Sequence, residues 1–207
     1  MASQIASPLS FNVDLYTSTI PTFLQYLQTL SAILTKASNY AADNNIPESY
    51  ILSHRLFPDM QPFAPQIQRI SDTARGVAYR VFDIPKTPIK DDEKTFEDLQ
   101  ARISKTIEEL KTVKKTLSEH DGGAVNGEAA AEGAGEGGKA GGGLHGRDAK
   151  SVEIYFARKD YTWKTEASAY VTRYAVPNFF FHVSIAYAIL RSCGVPLGKS
   201  DFLGVEV

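Results

Sequence analysis

The sequence predicts a mainly α-helical fold, a four-helix bundle that carries one small β-hairpin. Four long stretches repeat apolar residues at spacings of three and four, and one short segment alternates with a period of two. A glycine-rich segment separates the third helical stretch from the hairpin. Amphipathic helices bury their apolar faces against one another, and 207 residues, 43% of them hydrophobic, suffice for one domain over residues 1–207.

The first helix is predicted from the stretch TSTIPTFLQYLQTLSAILTKASNYAADNN. Its apolar face is formed by Ile20, Phe23, Leu24, Leu27 and Leu34. Thr19 or Ser18 can serve as the N-cap, and DNNIP is expected to end the helix. Residues 48–54 are predicted to form a short, separate helical turn.

The second long helix has a clear apolar face but an ambiguous start. The face is formed by Phe63, Ile67, Ile70, Ala74, Val77 and Val81. The three prolines of FPDMQPFAP cannot all lie in one regular first turn. Either Asp59 is the N-cap, or the regular helix starts near Ala64 after an irregular segment.

The third helix is predicted to end at a long insertion. Thr95 and Asp98 resemble a capping box in which Asp replaces the usual Glu. The apolar face is formed by Leu99, Ile103, Ile107, Leu110, Val113 and Leu117. Residues 121–149 follow, and residues 121–150 hold eleven of the fifteen glycines. This segment has too few large apolar side chains to offset its conformational entropy, so it is predicted to be a flexible Gly/Ala-rich insertion.

The hairpin and the last helix complete the predicted fold. In KSVEIYFARKDYTWKTE, apolar residues alternate through Val152, Ile154 and Phe156, and ARKD turns the chain into a second strand. A two-stranded ribbon is only marginally stable alone, so it is expected to lie on the helices. Pro177 opens the most apolar helix, VPNFFFHVSIAYAILR, which Gly194 and Pro196 end.

Composition excludes several classes of function. The formal net charge of −2 provides no basic field, which argues against a nucleic-acid partner. Cys193 is the only cysteine, so an internal disulfide and a cysteine-rich zinc site are excluded. No apolar run reaches the ~20 residues that a bilayer requires. MASQIASPLS lacks the basic and apolar regions of a signal peptide, and a cytoplasmic protein without a membrane partner is expected.

Three stretches resemble a known family. LSAILTKA, RLFPDMQPFAPQIQ and above all VPNFFFHVSIAYAILRSCGVPLGKSDFLG are similar to an uncharacterised domain-of-unknown-function family. That family belongs to the DinB-like, or YfiT-like, superfamily of proposed metalloenzymes with a four-helix-bundle fold. The resemblance extends over most of residues 14–204 and omits the Gly-rich insertion, which looks like an extra loop.

The resemblance implies a divalent metal held by three histidines, one from the second helix and two from an H-x-x-x-H pair on the last. His182 matches the first member of that pair, but Ala186 occupies the second position and cannot bind a metal. His54 lies near the start of the second helix, and Asp59 is a conceivable oxygen ligand. The expectation is therefore no cofactor, with a divalent metal on His182, His54 and Asp59 as the alternative.

His182 is the leading candidate for a functional residue. It shares one predicted helical face with Phe179, Val183, Ala186 and Leu190, so the imidazole is expected to point into the bundle. Burial without a partner would cost roughly 1–3 kcal/mol, which implies a partner, a pocket or an ion. The other candidate ligand-binding residues are Asn178, Asp59, Arg55 and Tyr187.

Each candidate also has a plainer interpretation. His182 fits a core histidine satisfied by a neighbouring hydroxyl or carbonyl group, and Asn178 fits a helix start. Arg55 and Asp59 fit an exposed ion pair worth at most ~1 kcal/mol. Gln66 and Gln68 are expected to face solvent.

Three functional hypotheses follow. The first is a non-enzymatic bundle that binds a small, largely apolar molecule between its helices, with His182 as a polar anchor. The second is a metal-dependent transferase or hydrolase of the DinB type with a reduced metal site. The third is a dimeric structural bundle without a ligand. The many aromatic residues around the hairpin and the last helix also predict a homodimer. The missing second histidine favours the first hypothesis.

Overall fold

The computed structural model describes residues 14–121 and 147–205, and four long helices form its core. The elements are α1 (Ile20–Asp43), α2 (Glu48–Ser53), α3 (Phe63–Val81), α4 (Phe96–Asp121), β1 (Ser151–Phe156), β2 (Tyr161–Glu166), α5 (Ala167–Tyr170), α6 (Val176–Ser192) and α7 (Lys199–Leu203). A π-helical segment, Val171–Ala175, joins α5 to α6 without a break. The predicted helical bundle with a small hairpin is confirmed.

The apolar faces predicted from the sequence meet in the core. Helix α3 packs against both α4 and α6, and α1 packs against α4. Phe23 of α1 and Phe179 of α6 are fully buried, and their rings stack with centroids 4.3 Å apart. Each long helix therefore contributes large side chains from one face, as its three-and-four spacing predicts.

Helix α3 begins at Phe63, after an irregular segment. Pro62 is the N-cap residue, and the backbone N–H of Phe63 donates to the His54 carbonyl at 3.0 Å. Asp59 is exposed and precedes the helix by several residues, so its predicted N-cap role is wrong. The alternative start near Ala64 lies within one residue of the observed one, because the regular turn forms only once Pro58 and Pro62 are passed.

Two predicted helix caps have different outcomes. At α4, the Thr95 N–H donates to Asp98 Oδ2 at 3.0 Å and the Asp98 N–H donates to Thr95 Oγ1 at 3.1 Å, which confirms the capping box. At α1, the Thr19 hydroxyl donates to the Leu15 carbonyl and the Ser18 hydroxyl to that of Asp14. Thr19 therefore occupies the predicted N-cap position of α1, but its hydroxyl points back into the preceding turn and makes no capping hydrogen bond.

The hairpin lies on the bundle, as expected. Strands β1 and β2 pair antiparallel with Ile154 opposite Trp163, and β1 contacts α3. Val152 and Ile154 are buried, whereas Ser151 and Glu153 are exposed. The period-two pattern therefore places one face of β1 on the helices and the other in solvent.

The ends of the predicted insertion belong to the folded body. Asp121 is the last residue of α4, and Arg147 is buried. Arg147 Nη1 donates to the Val81 carbonyl at 2.8 Å and to Asp83 Oδ2 at 2.7 Å. Residues 122–146 of the predicted insertion lie outside the described part of the chain, so the range 121–149 stays a prediction.

Among the helices within 14–121 and 147–205, none combines the length and the hydropathy of a membrane-crossing segment.

Candidate functional site

A hydrogen bond between α6 and α3 defines the candidate site. His182 Nδ1 lies 2.7 Å from Gln66 Oε1. Gln66 is buried, contrary to the expectation that it faces solvent, and its Nε2 donates to the Gln61 carbonyl at 2.8 Å. Because the Gln61 carbonyl can only accept, the Gln66 amide is oriented with its oxygen toward the imidazole.

The orientation of Gln66 determines the tautomer of His182. Since Gln66 Oε1 accepts, His182 Nδ1 carries the proton and Nε2 carries a lone pair. Burial, followed by the positive charge of Arg69, lowers the pKa of His182 from 6.5 to about 4. The imidazole is therefore neutral near pH 7, and its Nε2 has no hydrogen-bond partner within residues 14–121 and 147–205. The site offers a fixed, uncharged acceptor.

The low pKa predicts a specific pH dependence of stability. The unfolded chain takes up a proton at His182 as the pH falls through 6.5, whereas the folded protein does so only near pH 4. We therefore expect the free energy of unfolding of the wild type, measured relative to His182→Phe, to fall between pH 6.5 and pH 4. Urea unfolding of both proteins at several pH values measures this difference. A difference that does not change with pH would show that His182 titrates normally in the folded protein.

Asn178 makes a second polar contact between α6 and α3, one helical turn before His182. Its Nδ2 donates to Thr73 Oγ1 at 2.7 Å, and the Thr73 hydroxyl donates to the Arg69 carbonyl at 2.7 Å. Asn178 also lines a cavity of about 440 Å³ that His182 does not line. Asn178 lies in the first turn of α6, and its side chain bonds across the helix pair to α3.

The other predicted site residues make contacts that do not involve His182. Tyr187 packs edge-on against Phe202 and points its hydroxyl toward the Leu197 carbonyl at 3.4 Å. Arg55 and Asp59 are both exposed, and Arg55 Nη1 donates to the Pro58 carbonyl at 3.4 Å. No Arg55–Asp59 ion pair is present among the described residues. Among the predicted site residues, Asn178 therefore shares the contact between α6 and α3 with His182, whereas Tyr187 contacts residues after α6.

The residues do not fit a three-histidine metal site. Ala186, at the second position of the H-x-x-x-H pattern, is fully buried and has no atom that could bind a metal. The ring of His54 lies 5.6 Å from that of Tyr50 on α2. Within the part of the chain that the structure describes, no group of three or more His, Cys, Asp or Glu side chains could hold a metal ion. His182, His54 and Asp59 therefore do not form the alternative ligand set.

Gln66 is the site residue that sequence reasoning missed. It follows Phe63 by three residues and precedes Ile70 by four, so it occupies the apolar stripe of α3. A polar residue in such a stripe is expected to find a partner on the facing helix. The spacing of Gln66 from Phe63 and Ile70 could therefore have indicated, from the sequence alone, that Gln66 is buried and bonded to the facing helix.

Comparison with known proteins identifies the family. The sequence pattern of the family described as "Domain of unknown function (DUF1993)" matches residues 15–133 and 142–203. The chain belongs to this family. The DUF1993 match is interrupted at residues 134–141, which lie inside the predicted insertion.

A solved structure supports the same assignment for this DUF1993 protein. The chain is similar to the crystal structure of a DinB family member protein from Shewanella denitrificans, with 27% sequence identity and a TM-score of 0.68. The similarity covers 93% of each chain. No curated protein matches the sequence significantly. This DUF1993 protein is thus a DinB-like domain of unknown function.

Proposed function

We propose that the protein is a binding protein for a small, largely apolar molecule, which it holds beside His182 through a hydrogen bond to the imidazole Nε2. The observation that carries the proposal is the fixed orientation of a neutral imidazole with one nitrogen unpaired among the described residues. Here the hydrogen bond from Nδ1 leaves Nε2 available.

The surroundings of His182 supply apolar contact area. The Phe181 ring lies 5.1 Å from the imidazole and is 53% exposed. Phe57, which is 63% exposed, lies in the segment that leads to Gln61 and Gln66. Exposed aromatic rings beside a single polar anchor are typical of sites for ligands with an apolar body and one donor group.

A fragment screen with selectively labelled imidazole tests the proposal. The probes are neutral phenols and aromatic amides, which combine an apolar ring with one O–H or N–H donor. We expect binders to shift the 15N resonance of His182 Nε2. His182→Phe, which keeps a ring but removes the acceptor, should weaken binding by about fivefold to tenfold, the value of one hydrogen bond. His54→Phe is the matched control and should bind as the wild type does.

Two results would contradict this function. One is a set of fragments that bind His182→Phe as tightly as the wild type. The other is a screen without binders in which His182→Phe is as stable as the wild type. Zinc titration of the wild type covers the metal-dependent alternative, because stoichiometric binding that is lost in His182→Phe would favour an enzyme.

Two further predictions concern assembly and location. The exposed aromatic side chains Tyr155, Tyr161 and Phe181 agree with a homodimer, and a cytoplasmic location agrees with the single cysteine. Both stay predictions.

A further inference from the structure

A cavity of about 440 Å³ lies between α3, the connection that follows it, strand β1 and the helical turn that carries Tyr170 and Tyr174. Its wall carries four positively charged side chains, Arg69, Arg75, Arg80 and Lys86, against one carboxylate, Asp72. We refer to it as the cationic cavity. Its volume is within the range of roughly 300–1,000 Å³ that is typical of small-molecule sites.

Two of the four positive charges are neutralised by the protein. Arg69 pairs with Asp72 at 3.1 Å and with Asp91 at 2.7 Å. Arg75 Nε pairs with Glu109 at 2.8 Å, and both side chains are largely buried. These pairs make up part of the wall and leave little net charge for a ligand.

Arg80 and Lys86 differ from Arg69 and Arg75 in their ion pairing. Within residues 14–121 and 147–205, neither has a carboxylate at salt-bridge distance. The Arg80 guanidinium carbon lies 4.4 Å from the Tyr79 ring centroid, and Lys86 Nζ lies 5.4 Å from the same centroid. The aromatic ring therefore contacts two cations without neutralising either of them. An anion bound in the cavity would be attracted to both charges.

Gly76 and Tyr170 define the position of Arg80. A Cβ atom at Gly76 would lie 2.6 Å from Arg80 Nη1 and 3.0 Å from Tyr170 Oη, so only glycine leaves room for the guanidinium to fold back over α3. Arg80 Nη1 donates to Tyr170 Oη at 3.4 Å. Burial raises the pKa of Tyr170 to about 12, so the phenol keeps its hydrogen and can donate it. Arg80, Lys86 and Tyr170 thus all line the same cavity.

We infer that the cationic cavity binds a small organic anion whose carboxylate or phosphate group is held by Arg80, Lys86 and the Tyr170 hydroxyl. The rings of Phe156 and Tyr174, whose centroids lie 5.6 Å apart, provide an apolar wall for the rest of the molecule. Charge-assisted hydrogen bonds from guanidinium and ammonium groups are the strongest available to such a ligand. The site is independent of the proposed function, since His182 does not line it.

Isothermal titration calorimetry at about 0.15 M salt tests the inference, because that ionic strength screens diffuse attraction to surface charges. The probes are phenyl phosphate, benzoate, inorganic phosphate and neutral benzamide. We expect the two aromatic anions to bind and benzamide not to bind. The tighter of the two anions identifies the acidic group, and inorganic phosphate shows whether the apolar body contributes.

Three variants locate the binding. Arg80→Gln should weaken it by at least about tenfold, the value of one charge-assisted hydrogen bond. Gly76→Ala keeps every charge but displaces the guanidinium, and should weaken binding similarly while the helix stays folded, since alanine favours the helical state. Arg173→Gln removes an exposed charge from the π-helical segment and serves as the matched control. Equal affinities in all four proteins, equal binding of benzamide, or no binding of either aromatic anion would overturn the inference.

Discussion

Replacing Phe179 with alanine is expected to lower the free energy of unfolding by about 3–5 kcal/mol, the usual cost of emptying a phenylalanine site in a core. Phe179 is fully buried, stacks on Phe23 and packs edge-on against Phe180. The two rings lie between α1 and α6, and because both are long, regular helices, neither backbone can move in to fill the space. Urea unfolding followed by far-ultraviolet circular dichroism measures the change.

Phe181→Ala provides the control for that measurement. The two phenylalanines are separated by one residue on α6, but Phe181 is exposed. Its removal should change the free energy of unfolding by no more than about 0.5 kcal/mol, as surface substitutions usually do. Similar losses for the two variants would mean that α6 is rotated about its axis relative to the arrangement described above.

The second large effect is expected at Arg102. Its guanidinium is 1% exposed and contacts Glu93 at 2.6 Å, Asp72 at 3.0 Å and Asp91 at 3.0 Å. Arg102→Met removes the positive charge and leaves the largely buried Glu93 carboxylate without an ion pair. Breaking a buried pair in this way costs about 3–5 kcal/mol. Urea unfolding at neutral pH measures the loss.

Two further variants show whether the loss of stability comes from the unpaired Glu93 carboxylate. Arg102→Met combined with Glu93→Gln should be more stable than Arg102→Met alone, because the amide needs no counter-charge. Lys111→Met breaks the exposed pair with Glu108 on the same helix, and should cost less than about 1 kcal/mol. If the double variant is no more stable than the single one, the contribution of Arg102 comes from packing and not from charge.

The helices were predictable because the sequence pattern that specifies each helix lies within that helix. The apolar spacing of α1, α3, α4 and α6 is a property of each segment alone, and burial against neighbours follows the same stripes. The capping box of Thr95 and Asp98 joins residues three positions apart, so it could be recognised directly. The hairpin was visible for the same reason, since Val152 and Ile154 alternate with polar residues.

The contacts of the candidate site were not predictable in this way. His182 contacts Gln66, and Asn178 contacts Thr73. Both contacts depend on the axial position of α6 relative to α3, and no local sequence pattern determines that position. The position of Arg147 depends on a partner 66 residues earlier in the chain. The prediction from composition included Arg147 in the insertion, because most of the neighbouring residues are glycine or alanine. A single arginine does not change that composition, so its contact with the Val81 carbonyl could not be foreseen.

The π-helical segment between α5 and α6 has a consequence for changes in chain length. A turn with hydrogen bonds from i to i+5 holds about one residue more than an α-helical turn, so α5 is rotated by roughly 100° from the direction that an uninterrupted helix would give it. Deleting one residue of Val171–Ala175 is therefore expected to turn the segment into an ordinary α-helical turn, with Tyr170 and α6 both kept in place. A deletion within α6 has no extra residue to absorb it, and would rotate Tyr170 away from Gly76 and Arg80 by roughly 100°.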